Sequence, residues 1–244
     1  MSIDVVDLRD FYSNRLGAVA RHFVGRGVRR RWIDTRGLRV LGIGYATPYL
    51  GLFREEAERC LAFMPAPQGV VKWPTARPAL SALVDEFELP LPDAAVDRVL
   101  LVHALEMSND PTALLREIWR VLASGGQLLA VVPNRRGLWA RMDTTPFGHG
   151  RPYSRSQITH LLRQTWFTPT AWGEALFMPP VAGGWFLRSA MAWERVGAAL
   201  SLPFAGVHIV EATKQVYRAI PAHRERTRLI PALEPALVPS SLQR

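Results

Sequence analysis

The chain has 244 residues, of which 48% are hydrophobic, and its formal net charge is +9. This length and apolar content suit one sizeable α/β domain. Of the 30 basic residues only Lys72 and Lys214 are lysines, and we interpret the arginine excess as a coding bias over a solvated surface. The alternative is an acidic partner, such as a nucleic acid or an anionic membrane. Cys60 is the single cysteine, which excludes an intrachain disulfide and a metal site of several thiolates.

The amino-terminal segment is not expected to be a secretory signal. Residues 1–10 are acidic and mixed, unlike the basic and then apolar start of a secretory signal. No apolar run approaches the ~20 residues that span a bilayer, so we predict a cytoplasmic protein. Apolar residues recur at helical spacing and predict one amphipathic helix over Asp4–Trp32, with Gly25 and Gly27 fraying or breaking its end.

Strands and helices alternate along the rest of the chain, which predicts a mostly parallel sheet with helices on both faces. Four prolines within residues 65–78 exclude a regular helix there, so we predict an irregular crossover. Apolar runs predict strands at about Leu38–Ile43, Cys60–Met64, Leu80–Val84, Val96–Val102, Gln127–Val132, Thr168–Trp172 and Val207–Ala219. Helices are predicted at Tyr49–Arg59, from Asp110-Pro111 to a stop at Gly125-Gly126, at Ser154–Gln164 and around Trp185–Leu200.

The first strand runs into a turn at Gly42 and Gly44. In an α/β protein, such a junction at the carboxyl end of the sheet is where a nucleotide-like ligand docks. Ala46 and Pro48 stand where a nucleotide loop usually has glycine, and no carboxylate ends this strand. The next strand likewise ends without a carboxylate, at Pro65.

Two later segments together resemble the class I S-adenosylmethionine-dependent methyltransferases, in the small-molecule branch called type 11. The first runs from the acidic pair Asp85-Glu86 through Leu-Pro and Pro-Asp to a strand that ends before His103. The second runs from Leu114 through two glycines to Val132-Pro133-Asn134. The resemblance covers about residues 36–220 and implies a doubly wound, seven-stranded, Rossmann-like sheet. Residues 1–35 would form a lid helix, and residues 221–244 a flexible tail.

The resemblance also implies a site for S-adenosylmethionine. In such enzymes the glycine turn approaches the methionine part, a carboxylate ending the second strand holds the ribose, and an acid after the third meets the adenine amine. Asp85 takes the adenine position, and His103 is the candidate acid or base unless it only caps its strand. The implied cofactor-binding residues are Gly42, Gly44, Tyr45, Met64, Asp85, Glu86 and His103. The residues implied for a small-molecule or lipid-like acceptor are Tyr12, Asn134, Arg135, Arg136 and His149.

The departures at Ala46, Pro48 and Pro65 leave a second hypothesis open. It is a methyltransferase fold without activity that binds or regulates another protein. The apolar stretch Trp185–Trp193 and the basic loop Asn134–Gly150 would then form the interface, and the apolar stretch could instead touch a membrane. Nucleic-acid binding is not expected, because aromatic and basic residues do not interleave on one face. No His or Cys spacing indicates a metal site. We place the enzyme ahead of the inactive partner.

Overall fold

The computed structural model describes residues 3–181, 183, 189–199 and 204–215. Its strands are β1 Arg39–Gly44, β2 Arg59–Pro65, β3 Ser81–Val84, β4 Val96–Val102, β5 Leu122–Pro133, β6 Phe167–Ala175 and β7 Val207–Lys214. Its helices are α1 Val5–Ser13, α2 Arg15–Arg31, α3 Thr47–Leu50, α4 Pro111–Val121, α5 Arg155–Gln164 and α6 Ala190–Ala199. Within the described residues the strands form one sheet in the order β3-β2-β1-β4-β5-β7-β6.

The sheet is parallel from β3 to β5, and β7 runs antiparallel to both of its neighbours. One apolar core joins α1, α2 and α3 to the first face, and a second joins α4 and α5 to the other. The predicted doubly wound, seven-stranded α/β fold is therefore confirmed. Because β1, β2 and β4 are parallel neighbours, their carboxyl ends at Gly44, Pro65 and Val102 meet at one edge of the sheet.

The prediction of one amino-terminal helix is wrong, since the chain forms α1 and α2 with a break at Asn14. Asn14 is extended, its side chain accepts a hydrogen bond from the Gly17 amide, and its own amide caps the Phe11 carbonyl. A Cβ atom at Gly17 would overlap the Phe11 carbonyl oxygen, so this tight corner needs glycine. Gly25 and Gly27, expected near the end of the helix, lie inside α2.

Two other helix predictions are also wrong in extent. The predicted helix Tyr49–Arg59 shrinks to the short α3, followed by turns, and Arg59 already begins β2. Gly125-Gly126 does not stop α4, which ends at Val121 because Leu122 takes an extended conformation and starts β5. The prolines of residues 65–78 form the predicted irregular crossover.

The carboxyl-terminal predictions are tested only in part. α6 confirms a helix in the second half of Trp185–Leu200, whereas Trp185 and Leu200 lie outside the described residues. β7 ends at Lys214, and the predicted tail, 221–244, also lies outside them. Among the described helices, none is long and apolar enough to cross a membrane.

Candidate functional site

A cavity of about 180 Å³ opens where β2, β3 and β4 end. Its position follows from the topology, because parallel strands bring the segments after their carboxyl ends to one edge of the sheet. The crossover after β2 forms one wall, and the segments after β3 and β4 form the others. The lining residues are Pro65, Pro67, Gln68, Glu86, His103, Ala104, Met107 and Asn109.

Gln68 is held in a fixed orientation in this wall. Its Nε2 donates to the His103 carbonyl at 2.9 Å, its amide donates to the Pro65 carbonyl at 2.9 Å, and its carbonyl accepts from the Val5 amide at 2.8 Å. Because a carbonyl can only accept, the bond to His103 settles which end of the side-chain amide is nitrogen. The residue is 4% exposed, and its Oε1 is a buried acceptor without a hydrogen-bond partner.

Glu86 supplies the carboxyl group of the cavity. It is 8% exposed, and its Oε1 accepts a hydrogen bond from the Ser108 hydroxyl at 2.8 Å. Burial raises the pKa of Glu86, the Ser108 hydrogen bond opposes this, and the charge of Asp85 adds to it. Asp85 itself is exposed, does not line the cavity, and accepts a hydrogen bond from the Phe87 amide at 2.8 Å.

The raised pKa of Glu86 predicts a pH-dependent stability difference for Glu86→Gln. The folded protein binds this proton more tightly than the unfolded chain, so the wild-type group favours folding most at low pH. This contribution is lost as the pH rises from the unfolded value of about 4.3 through the folded pKa. We expect Glu86→Gln, which keeps the acceptor for Ser108, to have the higher free energy of unfolding at about pH 8 and no advantage at about pH 4. Urea unfolding at both pH values measures this, and an advantage that grows on acidification would contradict it.

The His103 side chain belongs to a fully buried hydrogen-bond network. Its Nδ1 lies 3.2 Å from Glu106 Oε1, its Nε2 lies 2.9 Å from the Tyr12 hydroxyl, and that hydroxyl lies 3.1 Å from the Tyr49 hydroxyl. A carboxylate only accepts, so Nδ1–H donates to Glu106, and in the neutral ring Nε2 then accepts from Tyr12. Burial raises the pKa of Tyr12, and Tyr49 and Glu106 add to the rise, which keeps this donor protonated. Both ring nitrogens of His103 are therefore occupied, and α1 is tied to the end of β4.

Aromatic rings extend this network toward the loop after β5. Tyr45 stacks on Tyr12 with ring centres 5.6 Å apart. Phe147 lies 4.8 Å from the His103 ring and 6.2 Å from Phe11, both measured between ring centres. The first helix, the glycine turn and the loop after β5 thus meet around one histidine.

The glycine turn is closely packed. A Cβ atom at Gly42 would lie 2.7 Å from Ala46 Cβ, and Gly44 has a φ of +77° next to β4. Met64 is fully buried in β2, and its sulfur accepts a hydrogen bond from the Val71 amide. None of these residues lines the cavity, which lies beside the turn.

Comparisons with known proteins show which family part of the chain resembles. A family model described as a methyltransferase domain matches residues 24–130. The similarity to a methyltransferase domain covers less than half of the chain. A protein of Mycolicibacterium smegmatis named "probable S-adenosylmethionine-dependent methyltransferase" is 39% identical over 82 residues, which are 33% of this chain and 32% of that protein. The chain thus matches about a third of the length of such curated relatives.

Solved structures share the fold of this chain. A Thermotoga maritima S-adenosylmethionine-dependent methyltransferase, described as a possible histamine N-methyltransferase, is 17% identical with a TM-score of 0.59. The alignment covers 86% of this chain and 96% of that one. The [4+2]-cyclase SpnF is 23% identical with a TM-score of 0.55, and the alignment covers 80% of each chain. Since one fold hosts different chemistries, these likenesses establish architecture alone.

The fold brings together only some of the predicted site residues. Glu86 and His103 line the cavity, and Tyr12 belongs to the network. Gly44 and Tyr45 lie next to that network, whereas Gly42, Met64 and Asp85 do not line the cavity.

The loop residues predicted to bind the methyl acceptor either form hydrogen bonds within the structure or are exposed. Asn134 is buried, its Nδ2 donates to the Ala205 carbonyl at 2.8 Å, and its Oδ1 accepts from the Arg136 amide at 3.0 Å. The Arg135 and Arg136 side chains are exposed, and the His149 ring bonds to a carbonyl of the same loop. None of these four residues lines the cavity.

Sequence reasoning missed Gln68, Tyr49 and Phe147. Gln68 lies in the proline-rich crossover, which we treated only as a connection. The available signal was its position three residues after the end of β2, close to the strand end where the family places its ribose acceptor. Tyr49 and Phe147 carried no sequence signal, since an aromatic residue in a loop or helix is more often part of the core.

Proposed function

We propose that the protein is a methyltransferase that transfers the methyl group of S-adenosylmethionine to a small-molecule or lipid-like acceptor. The observation that carries this proposal is the cavity at the ends of β2, β3 and β4, with its unpartnered Gln68 acceptor and its buried Glu86 carboxyl. Both groups can accept hydrogen bonds from the ribose hydroxyls and the adenine amine of a nucleoside. The match of residues 24–130 to the methyltransferase family and the names of the mycobacterial relatives support the same activity.

The cavity suits part of the cofactor rather than all of it. Its volume of about 180 Å³ is below the ~300–1,000 Å³ of pockets that enclose drug-sized ligands. Tyr45 follows the turn at Gly44, which the family uses for the methionine part, and its ring stacks on Tyr12. We therefore propose that the nucleoside part binds in the cavity and that α1 moves with Tyr12 when the whole cofactor binds.

The residues of the chain would serve positioning rather than covalent chemistry. The bound cofactor supplies an activated methyl group, and transfer depends mainly on alignment of the acceptor. The faces of Tyr12, Tyr45 and Phe147 are suited to a cationic sulfonium, because an aromatic ring attracts cations. His103 would act as a positioning residue, since both of its ring nitrogens hold other side chains.

Calorimetric titration with S-adenosylmethionine, S-adenosylhomocysteine and adenosine tests this proposal. We expect dissociation constants on the order of micromolar for the two complete ligands and weaker, measurable binding of adenosine. Absence of heat from all three at millimolar concentration, with protein that gives a cooperative unfolding transition, would overturn the proposed function.

A further inference from the structure

β2 ends without the carboxylate that the family uses to hold the ribose. β2 ends at Pro65, and the residues after it are Ala66, Pro67 and Gln68. We propose that the Gln68 side-chain carbonyl is the ribose acceptor, so that a neutral amide accepts the hydrogen bond that a carboxylate accepts in the family. This inference rests on the proposed function and names the residue that selects ribose over deoxyribose in the same site.

The hydrogen bonds of Gln68 favour this role over a purely structural one. Its Nε2 is used by the His103 carbonyl, so the amide cannot rotate to bury its oxygen elsewhere without losing that bond. Oε1 is left as a buried acceptor without a hydrogen-bond partner, in a residue that lines the cavity. A buried acceptor without a donor is destabilising, so a ligand hydroxyl that bonds to it recovers a loss already present in the free protein.

The surroundings also explain why glutamine fits better than an acid at position 68. A carboxylate there could not donate to the His103 carbonyl, which would then face a negative charge. Glu86 already lines the same cavity, and its pKa is raised by burial and by Asp85. A second buried carboxylate nearby would make each charged form less favourable. Glutamine donates a hydrogen bond to the end of β4 and offers an acceptor without adding a second negative charge to the cavity.

Binding of nucleosides with and without hydroxyl groups tests the inference. The ligands are adenosine, 2′-deoxyadenosine and 3′-deoxyadenosine, titrated into the full chain and into Gln68→Met, which keeps the length of the side chain but lacks the amide. For the wild type we expect loss of one of the two hydroxyls to weaken binding about tenfold. For Gln68→Met we expect adenosine to bind about tenfold more weakly and the same deoxyadenosine to bind as it does to the wild type.

Gln164→Met is the matched control, because Gln164 is exposed at the end of α5 and far in sequence from the cavity segments. It should discriminate between the nucleosides as the wild type does. If Gln68→Met discriminates as strongly as the wild type, the Gln68 assignment is overturned while the nucleoside site stands. If the wild type binds adenosine but ignores both hydroxyls, the ribose acceptor role is likewise overturned. If folded wild type binds no nucleoside or complete cofactor, the proposed function itself fails.

Discussion

Replacing Gly44 by alanine is expected to lower the free energy of unfolding by about 2–5 kcal/mol. The φ of Gly44 is +77°, which an L-residue with a side chain adopts at a cost of about 1–2 kcal/mol. The new Cβ would overlap the Val102 carbonyl oxygen and lie 2.8 Å from Ala104 Cβ. That carbonyl cannot move freely, because it accepts the Tyr45 amide at 2.8 Å. Overpacking of this kind adds about 1–3 kcal/mol.

Gly51→Ala is the control for this substitution, since it changes the same residue type seven positions later. Gly51 has helical angles of −57° and −23°, and a Cβ there meets no atom within 4 Å. Alanine at such a site is neutral or stabilises by about 0.4–1 kcal/mol. Urea unfolding of the three proteins gives the comparison. Equal stability of Gly44→Ala and wild type would show that the edges of β1 and β4 are packed more loosely than the structure indicates.

The strands could be predicted because buried parallel strands are continuous apolar runs. Val96–Val102 was predicted with its observed limits for this reason. The helix break at Asn14 could not be predicted, because apolar residues keep their helical spacing on both sides of it, from Tyr12 to Leu16. The break depends on a side-chain cap and on one close backbone approach at Gly17, and neither alters the hydrophobic pattern.

The candidate site was predictable only where the family motif covers it. Glu86 and His103 lie in the motif, and the topology brings both to the cavity. Gln68 lies in a segment without periodicity, and the contacts that orient it come from Val5 and from the end of β4. Tyr12 and His103 are 91 residues apart in sequence. Contacts of this range are set by tertiary packing, about which a local pattern contains no information.

His103→Ala is expected to lower the free energy of unfolding by about 3–5 kcal/mol. The change leaves the Tyr12 hydroxyl without its acceptor and Glu106 Oε1 without its donor, both in the protein interior. Each such buried group costs about 1–3 kcal/mol, and the ring contact with Phe147 is lost as well. His22→Ala is the control, because His22 is exposed on α2, and a change of at most about 0.5 kcal/mol is expected there.

A double-mutant cycle with Tyr12→Phe distinguishes a connected network from separate contacts. Tyr12→Phe keeps the ring that stacks on Tyr45 but removes the hydroxyl that reaches His103. If the hydroxyl acts through the histidine, its removal should cost about 1–3 kcal/mol in the wild type and clearly less in His103→Ala. Additive losses would contradict the network. Amide exchange in α1 should also rise in both single variants, because each loses the hydrogen bond that ties α1 to the end of β4.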